Sequence, residues 1–264
     1  MSYEGLDRLV ASLDGNVLRV TLNWPEKRNV VGAATSRDLG RVFHDAAADD
    51  AVRAIVLTGA GSVFCAGGDI VAMQDKIDDP AKFYAGIINS RRLVFSMLDC
   101  AKPIVCRVNG DAIGLGATLA LLCDIVVAGE GVKIGDPHVR MGLVAGDGGA
   151  LLWPQFIGYA RARQYLLSGD LLTGREAERI GLINFAAPLA EVDAIVEHWA
   201  DRLARGASQS IAGTKALINL PLRQAAQAML DMGMAYEGLS NISRDHQEAV
   251  TAFIEKRKPD FTGK

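Results

Sequence analysis

The segment GDPHVRMGLVAGDGG, residues 135–149, contains the side chains best suited to proton transfer. Its single histidine, His138, is followed nine residues later by Asp147, across an apolar run. An imidazole oriented by a carboxylate is a common general base. Both carboxylates of the segment also have a structural interpretation, because Asp136 before Pro137 and Asp147 before a helical stretch are typical N-caps. The local sequence leaves both interpretations open.

The surroundings of His138 predict its charge. A helix start near this residue disfavours the cationic imidazole, and a neutral imidazole is the form that a general base requires. The remaining histidines, His44, His198 and His246, lie in helical stretches with polar neighbours and are expected at the surface. His138 is therefore the candidate for acid–base chemistry.

Two glycine-rich turns are the second candidate feature. CAGGD at residues 65–69 and NGDAIGLG at residues 109–116 each follow a predicted strand and precede a predicted helix. Glycine allows the backbone to approach a ligand, and the first amides of a helix lack internal partners. Two such turns facing each other would direct two N–H groups at one carbonyl oxygen, forming an oxyanion hole. The alternative is a pair of tight corners, with Cys65 as a small packing residue.

The motifs of several other chemistries are absent. The chain has no GxSxG nucleophile elbow, no phosphate-binding Walker loop, no HExxH pair and no GxGxxG that opens a helix after a strand. The cysteine spacing matches no zinc site. An enzyme built on this sequence is expected to use neither a serine nucleophile nor a metal.

Composition excludes further classes of function. The net charge is −3 and the one basic cluster, EKRK near the C-terminus, is short, so no nucleic-acid partner is expected. No apolar run reaches membrane-spanning length, and the N-terminus lacks the pattern of a signal peptide. Together with cysteines that are expected to be reduced, these features predict a cytoplasmic protein without membrane contact.

The order of predicted elements indicates an α/β fold. A hairpin with an Asp14-Gly15 turn opens the chain, and strands then alternate with helices through the first two thirds. The last part follows the helical period in four separate stretches, and residue 221 falls between the second and the third. These patterns predict a core over residues 1–200 and a helical oligomerisation region over residues 201–264. Apolar residues of the tail, such as Ile211, Leu217, Met229 and Phe253, are expected to be buried in the core or between subunits.

Five segments carry a family resemblance: NWPEKRN, IVLTGAGSVFCAGGDI, AKPIVCRVNGDAIGLGATLALLCDIVVA, GLVAGDGG and LLTGREAERIGLIN. In order and spacing they resemble the enoyl-CoA hydratase/isomerase (crotonase) family over nearly the whole chain. The resemblance implies a spiral of ββα units with a helical C-terminal trimerisation region. It also implies a homotrimer or homohexamer that acts on an acyl-CoA thioester, with coenzyme A entering as part of the substrate and no separate cofactor.

The same resemblance assigns roles to residues of this chain. The thioester oxygen would be held by the amides of Gly68 and Leu115. The family often has glycine at the second position, and the leucine side chain is expected to narrow the acyl pocket. Contacts with coenzyme A would come from two regions of the fold. The residues expected to make these contacts are Lys27, Arg28, Ala66, Asp69 and Ile70 near the first glycine-rich turn, and Phe253 and Lys256 in the tail.

The acid–base residues differ from those of the family's hydratases. Its hydratases carry two glutamates, which would fall at Thr118 and His138. Thr118 either bonds back to the Gly114 carbonyl, as helical threonines do, or binds a water. We expect His138 to handle protons with Asp147 orienting it, and no other carboxylate of the subunit to replace the missing pair.

Three functions remain open at this level. The first is an enoyl-CoA hydratase or isomerase with atypical acid–base residues. The second is a carbon–carbon bond hydrolase of a β-diketone or β-oxo acyl substrate, since the spacing of His138 and Asp147 resembles the His–Asp pair of such family members. Their further histidine would fall at Leu115, so this resemblance is partial. The third is a non-catalytic CoA-binding subunit.

Overall fold

The structure is a computed structural model that describes residues 3–264. Its strands are β1 (Leu9–Asp14), β2 (Val17–Leu22), β3 (Ala54–Gly59), β4 (Ile104–Val108), β5 (Ala112–Ile113), β6 (Ile125–Gly129), β7 (Lys133–Gly135), β8 (Leu172–Thr173) and β9 (Phe185–Ala187). Its helices are α1 (Ala33–Ala48), α2 (Ile70–Asp78), α3 (Pro80–Leu98), α4 (Leu115–Leu121), α5 (Gly149–Ser168), α6 (Gly174–Arg179), α7 (Leu189–Ala204), α8 (Ser208–Asn241) and α9 (Arg244–Ile254). Two short 3-10 turns cover Pro25–Lys27 and His138–Met141.

The strands form two sheets. The larger sheet has the order β1-β2-β3-β4-β6-β9, in which only the β1-β2 hairpin is antiparallel. The hairpin is confirmed, with Gly15 at φ +58° in its turn. The smaller sheet has the order β5-β7-β8. The predicted α/β fold is therefore confirmed.

Successive units of the chain follow the same path. β4 in the large sheet is followed by β5 in the small sheet and then by α4, and β6 is followed by β7 and then, after the 3-10 turn, by α5. The unit that starts with β3 has the same form, because Cys65 makes a parallel bridge to Ala112 before α2 begins. This repetition is the spiral of ββα units that the resemblance implied.

The large sheet is buried on both faces. In β3, Ile55 and Leu57 enter the main core, while Ala54 and Val56 face a second cluster that includes Val196 of α7. Burial on both faces explains the continuous apolar run of this parallel strand. Because α7 covers the sheet, the boundary expected at residue 200 falls inside a helix that packs on the core. The division into two regions stays a prediction.

Helix α8 runs through Pro221, where the sequence had indicated an interruption. An internal proline costs a helix about 3 kcal/mol. Contacts on both sides of it hold the helix in place: Asn219 donates to the Leu98 carbonyl at 3.2 Å, and Arg223 pairs with Asp99 at 2.6 Å. The partners at the end of α3 are distant in sequence, so the local sequence pattern around Pro221 could not indicate that the helix continues.

Several apolar side chains of the tail face outward in the single chain. Leu217 is 74% exposed and Met229 is 43% exposed, and Phe253 is also exposed. Burial in the core of the same protomer is therefore wrong for these three residues, whereas burial between subunits stays a prediction. None of the helices within residues 3–264 has the length and apolar content needed to cross a membrane.

The first turn of α4 packs directly against the 65–68 turn. A Cβ atom added at Gly116 would lie 2.3 Å from the Cys65 carbonyl oxygen, and one at Gly67 would lie 2.8 Å from the Ile113 carbonyl oxygen. Gly67 also has φ +92°, a conformation that other residues rarely adopt. The two glycine-rich turns are thus in backbone contact, which only glycine permits.

This contact predicts opposite effects of alanine at two helical glycines. Gly116→Ala should destabilise the protein by about 1–3 kcal/mol, because its methyl group overlaps backbone. Gly213→Ala, in an exposed part of α8 where a Cβ meets nothing within 4 Å, should stabilise it by about 0.5–1 kcal/mol. Urea unfolding of both variants checks this, and equal stabilities would contradict the close contact.

Candidate active site

A cavity of about 580 Å³ lies between the glycine-rich turns, the α2–α3 pair and the tail helices. Gly68 and Leu115 line it from the two turns, and His138, Asp147 and Glu237 line it from three other segments. The rest of the wall is largely apolar, with Met73, Phe83, Leu143 and Met234 among its residues. A concave apolar site with a few convergent polar groups is typical of a small-molecule site.

The amides of Gly68 and Leu115 are available to a ligand. Within the described residues neither donates a hydrogen bond to another protein group, whereas the neighbouring Gly67 and Gly114 amides are bonded to Cys65 Sγ and the Gly135 carbonyl. Leu115 is the first residue of α4, so its N–H has no partner within the helix. Both amides belong to residues that line one cavity, as an oxyanion hole requires. Their role in catalysis stays a prediction.

His138 lies between two carboxylates. Its Nδ1 bonds to Asp136 Oδ1, and its Nε2 lies 3.6 Å from Asp147 Oδ2. Asp136 also accepts the backbone N–H of His138 at 3.3 Å. The carboxylate that orients the imidazole is therefore Asp136, two residues before it, and the expectation that Asp147 would have this role is wrong. Asp147 instead faces the ring nitrogen that points towards the substrate space.

The neutral imidazole expected for His138 is also wrong. Burial by itself lowers the pKa of His138, but the charges of Asp136 and Asp147 and the hydrogen bond from Asp136 outweigh it and raise the pKa well above its ordinary value. The two carboxylates therefore favour the charged form of the ring, the opposite of the neutral form expected. A 3-10 turn of four residues supplies too little dipole to reverse two adjacent negative charges.

The two cap interpretations have different outcomes. The N-cap of α5 is Gly148, with no side-chain cap bond, so Asp147 is not a cap. Its buried Oδ1 has no hydrogen-bond partner among residues 3–264, and burial raises the pKa of Asp147. Asp136 retains part of a capping role through the His138 N–H, although the structure places Pro137 at the N-cap.

Glu237 is a site carboxylate that the sequence analysis missed. It lies on α8, is buried, and lines the cavity, with Oε2 lacking a partner among the described residues. Burial and the neighbouring Asp147 raise its pKa to about 8. Glu237 is thus a further carboxylate in the cavity, while the expectation that no other carboxylate replaces the missing pair stays a prediction. A signal was present, because Glu237 continues the buried stripe of Leu230 and Met234 at helical spacing.

Thr118 does not line the cavity, and of the two roles considered for it only the bond to Gly114 is tested by the structure. Its hydroxyl is buried without a hydrogen-bond partner in the described part of the chain, so the bond to the Gly114 carbonyl is absent. The methyl group packs towards Gly148, where an added Cβ would lie 2.5 Å from Cγ2. Cys65 is likewise structural, since burial raises its thiol pKa to about 12.

His246 is fully buried, so its expected surface position is wrong. Its Nδ1–H donates to the Met141 carbonyl at 2.6 Å, and burial lowers its pKa. This bond attaches α9 to the 3-10 turn that begins with His138. The polar neighbours of His246 in sequence had suggested solvent, but the helix turns this side chain towards a distant carbonyl.

The residues expected to contact coenzyme A divide into two groups. Ala66, Asp69, Ile70 and Phe253 line the cavity. Lys27, Arg28 and Lys256 do not line it, although the Arg28 carbonyl accepts the Ala66 N–H at 3.0 Å and so lies beside the first turn. The guanidinium of Arg28 is exposed and pairs with Asp111 at 3.4 Å. The role of all seven residues in binding stays a prediction.

Asp136, His138 and Asp147 also place their donor atoms within 4.8 Å of one another, close enough to surround a metal ion. The hydrogen bond between Asp136 and the His138 Nδ1 already uses one of these donor pairs. The expected absence of a metal stays a prediction.

The buried carboxyl of Glu237 predicts how stability depends on pH. Its pKa rises from 4.5 unfolded to about 8 folded, so the unfolded chain releases this proton first and stability should fall as pH rises through that interval. Glu237→Gln should therefore stabilise the protein more at pH 8 than at pH 5, with a difference on the order of 1 kcal/mol or more.

Urea unfolding at the two pH values measures this difference. Glu191→Gln, at an exposed position of α7, is the matched control and should show none. An equal effect of Glu237→Gln at both pH values would show that its carboxyl titrates normally.

Comparisons with known proteins agree with this geometry. The family model of enoyl-CoA hydratase/isomerase matches residues 12–264. The 2,3-dehydroadipyl-CoA hydratase of Escherichia coli (strain K12) is 32% identical, over 98% of this chain and 100% of that protein. The 1,2-epoxyphenylacetyl-CoA isomerase of the same organism is also 32% identical, over 98% of this chain and 100% of that protein.

A solved structure shows the same fold. The crystal structure of an enoyl-CoA hydratase/isomerase from Mycobacterium paratuberculosis superposes with a TM-score of 0.89 at 34% identity, covering 94% of this chain and 99% of that chain. The match extends through the ββα spiral and the helical tail alike. From its sequence and its fold, the chain belongs to the enoyl-CoA hydratase/isomerase family.

Proposed function

We propose that the protein converts an acyl-CoA thioester by hydration or isomerisation of an enoyl group, through an enolate held by the amides of Gly68 and Leu115. The observation that supports this most directly is that the residues of these two unpaired amides line the same cavity as His138 and Asp147. Donors aimed at a developing oxyanion stabilise it strongly in a site that excludes water. Membership of the family supplies the thioester as the substrate class.

Asp147 and His138 divide the proton transfers between them. The Asp147 carboxylate, made more basic by burial, accepts a proton from the attacking water as its oxygen adds to the β-carbon. The His138 imidazolium donates a proton from Nε2 to the α-carbon, while Asp136 stabilises its charge from the other side. The proton on Asp147 can then return to Nε2 across the 3.6 Å gap, which restores the starting state.

Isomerisation uses the same Asp147 and His138 side chains but needs fewer steps, because no water is added. One proton leaves the γ-carbon for Asp147, the double bond moves through the enolate, and a proton from His138 reaches the α-carbon. Glu237, with a pKa of about 8, is protonated at neutral pH and offers a hydrogen-bond donor at the wall of the site. These side chains do the work of the two missing glutamates from different positions in the fold.

Carbon–carbon bond hydrolysis of a β-oxo acyl substrate or a β-diketone is the second candidate. The observation that favours it is the His138–Asp147 contact at 3.6 Å, which can activate a water for attack on a ketone. The two free amides would then hold the enolate that leaves. Leu115 contributes an apolar side chain where the family's hydrolases carry a further histidine, and this favours the first candidate.

A turnover screen distinguishes these functions. Straight-chain enoyl-CoAs, aryl enoyl-CoAs, β-oxoacyl-CoAs and cyclic β-diketones are each incubated with the protein, and products are identified by mass spectrometry. Addition of 18 Da to an enoyl-CoA, or a chromatographic shift at unchanged mass that marks a moved double bond, supports the first candidate. Cleavage of a β-oxoacyl-CoA into two products, or ring opening of a cyclic β-diketone with addition of 18 Da, supports the second. Tight binding of acyl-CoAs without turnover of any of them would show a non-catalytic CoA-binding subunit.

The proton-transfer roles predict the effect of three variants. His138→Ala should lower kcat at least roughly 100-fold, the usual size of a general acid–base effect. Asp147→Asn should lower it nearly as far, and the double variant should be little slower than either single one, because the two groups act as a unit. Steady-state rates on the substrate from the screen test this. Full turnover in both single variants would remove the proposed roles.

We also propose that the protein forms homotrimers or homohexamers through the tail. Its support is the apolar surface of α8, where Leu217, Ile218 and Met232 are more than half exposed in the single chain. Closed symmetric assemblies are the usual way to bury such a surface. Light scattering coupled to gel filtration should give three or six times the mass of the 28.1 kDa chain, and a stable monomer at micromolar concentration would contradict this assembly.

A further inference from the structure

Lys76 is a charged group of the cavity that the proposed mechanism does not use. It lies in the last turn of α2 and lines the cavity. Its ammonium group is 5.6 Å from the centroid of the Phe83 ring, which is itself buried against the cavity. Within residues 3–264, no carboxylate lies within ion-pair distance of Lys76. Lys76 is therefore a cation on the cavity wall without a direct ion pair, although its charge also acts on Asp147 and Glu237.

The backbone around Lys76 is held in place by α8. Asn241 Nδ2 donates to the Lys76 carbonyl at 3.0 Å, and Asn241 is buried and lines the cavity too. Glu237 lies one helical turn earlier on α8, with its Oε2 unpartnered. Lys76, Glu237 and Asn241 thus form a polar group in a wall that otherwise contains Met73, Phe83 and Met234. We call these three residues the distal polar cluster.

The distal polar cluster lies away from the amides that would hold the thioester oxygen. Lys76 follows Asp69, the N-cap of α2, by seven residues, which corresponds to about 10 Å along the helix axis. A ligand group bound by Lys76 would therefore be remote from the thioester carbonyl carbon held at Gly68 and Leu115. An unpaired ammonium in a partly desolvated wall attracts an anion more strongly than a surface lysine does.

We propose that Lys76 binds a carboxylate at the far end of the acyl chain, so that the substrates are acyl-CoAs with a terminal carboxyl group. This inference rests on the proposed function, because it places the thioester at Gly68 and Leu115. The protonated carboxyl of Glu237 donates a hydrogen bond to the same group, and the apolar wall holds the methylene groups between the two ends. Lys76 is accordingly a residue that determines specificity, with no part in proton transfer.

An anion at Lys76 has a second possible source, the phosphate groups of coenzyme A itself. Lys82 also lines the cavity but is exposed, as expected of a lysine near the opening. Free coenzyme A carries the phosphates without an acyl chain. Matched acyl-CoAs with and without a terminal carboxyl group differ only at the end of the chain. Comparing the three ligands separates the two sources.

Calorimetric titration with saturated ligands measures binding without turnover. Succinyl-, glutaryl- and adipyl-CoA are compared with butyryl-, pentanoyl- and hexanoyl-CoA and with free coenzyme A. Lys76→Met should weaken the best-bound carboxylated ligand at least tenfold and change its alkyl counterpart and coenzyme A less than twofold. Lys76→Arg should restore most of the affinity. Lys133→Met, at an exposed position of β7, is the charge-matched control and should change none of them.

The outcomes are distinct. Equal weakening of all ligands by Lys76→Met would assign the lysine to the phosphates and overturn the proposal. No effect on any carboxylated ligand would also overturn it. If the wild-type protein bound neither coenzyme A nor any acyl-CoA, the proposed function itself would fail, and the subsite with it. Thermal melting of each variant confirms that a lost affinity does not reflect unfolding.

Discussion

The backbone contact between the 65–68 turn and the first turn of α4 is the constraint on which the cavity depends. Cys65 and Ala112 pair as strand residues, and Gly116 then packs against the Cys65 carbonyl with no space for a side chain. This approach places Gly68 and Leu115 on the same cavity with unbonded amides. Two successive ββα units must therefore meet before either amide can act on a ligand.

The pKa values of two groups in this cavity are raised for different reasons. Burial by itself would lower the pKa of His138, but the two neighbouring carboxylates outweigh it and raise the pKa. For Glu237, burial itself raises the pKa, and the negative charge of Asp147 adds to this effect, so the carboxyl stays protonated. Acidic and basic groups whose pKa values are shifted in this way are typical of acid–base catalysis. The site therefore contains proton donors and an acceptor without the two glutamates of the family's hydratases.

The tail helices complete the cavity and also carry exposed apolar side chains. Helix α8 contributes Glu237 and approaches the segment before Asp147 so closely that a Cβ at Gly146 would lie 2.2 Å from the Gly233 carbonyl oxygen. Helix α9 bonds through His246 to the turn that contains His138. The spiral by itself would leave the cavity without one wall. The helical extension is therefore part of the cavity wall.

The sequence by itself determined the α/β layering, the glycine-rich turns, the position of His138 and the family. These features are local, because strand and helix periods, glycine in turns and the order of motifs are properties of short segments. Only the tertiary structure decided that Asp136 orients His138, that Thr118 is outside the cavity and that Glu237 and His246 are buried. The burial of Glu237 and His246 depends on which distant backbone a side chain meets, whereas Asp136 is close in sequence but reaches the His138 ring only through the local fold of the 3-10 turn. The surroundings of His138 show the limit most clearly, since the helix start nearby indicated a neutral ring and two carboxylates raise its pKa instead.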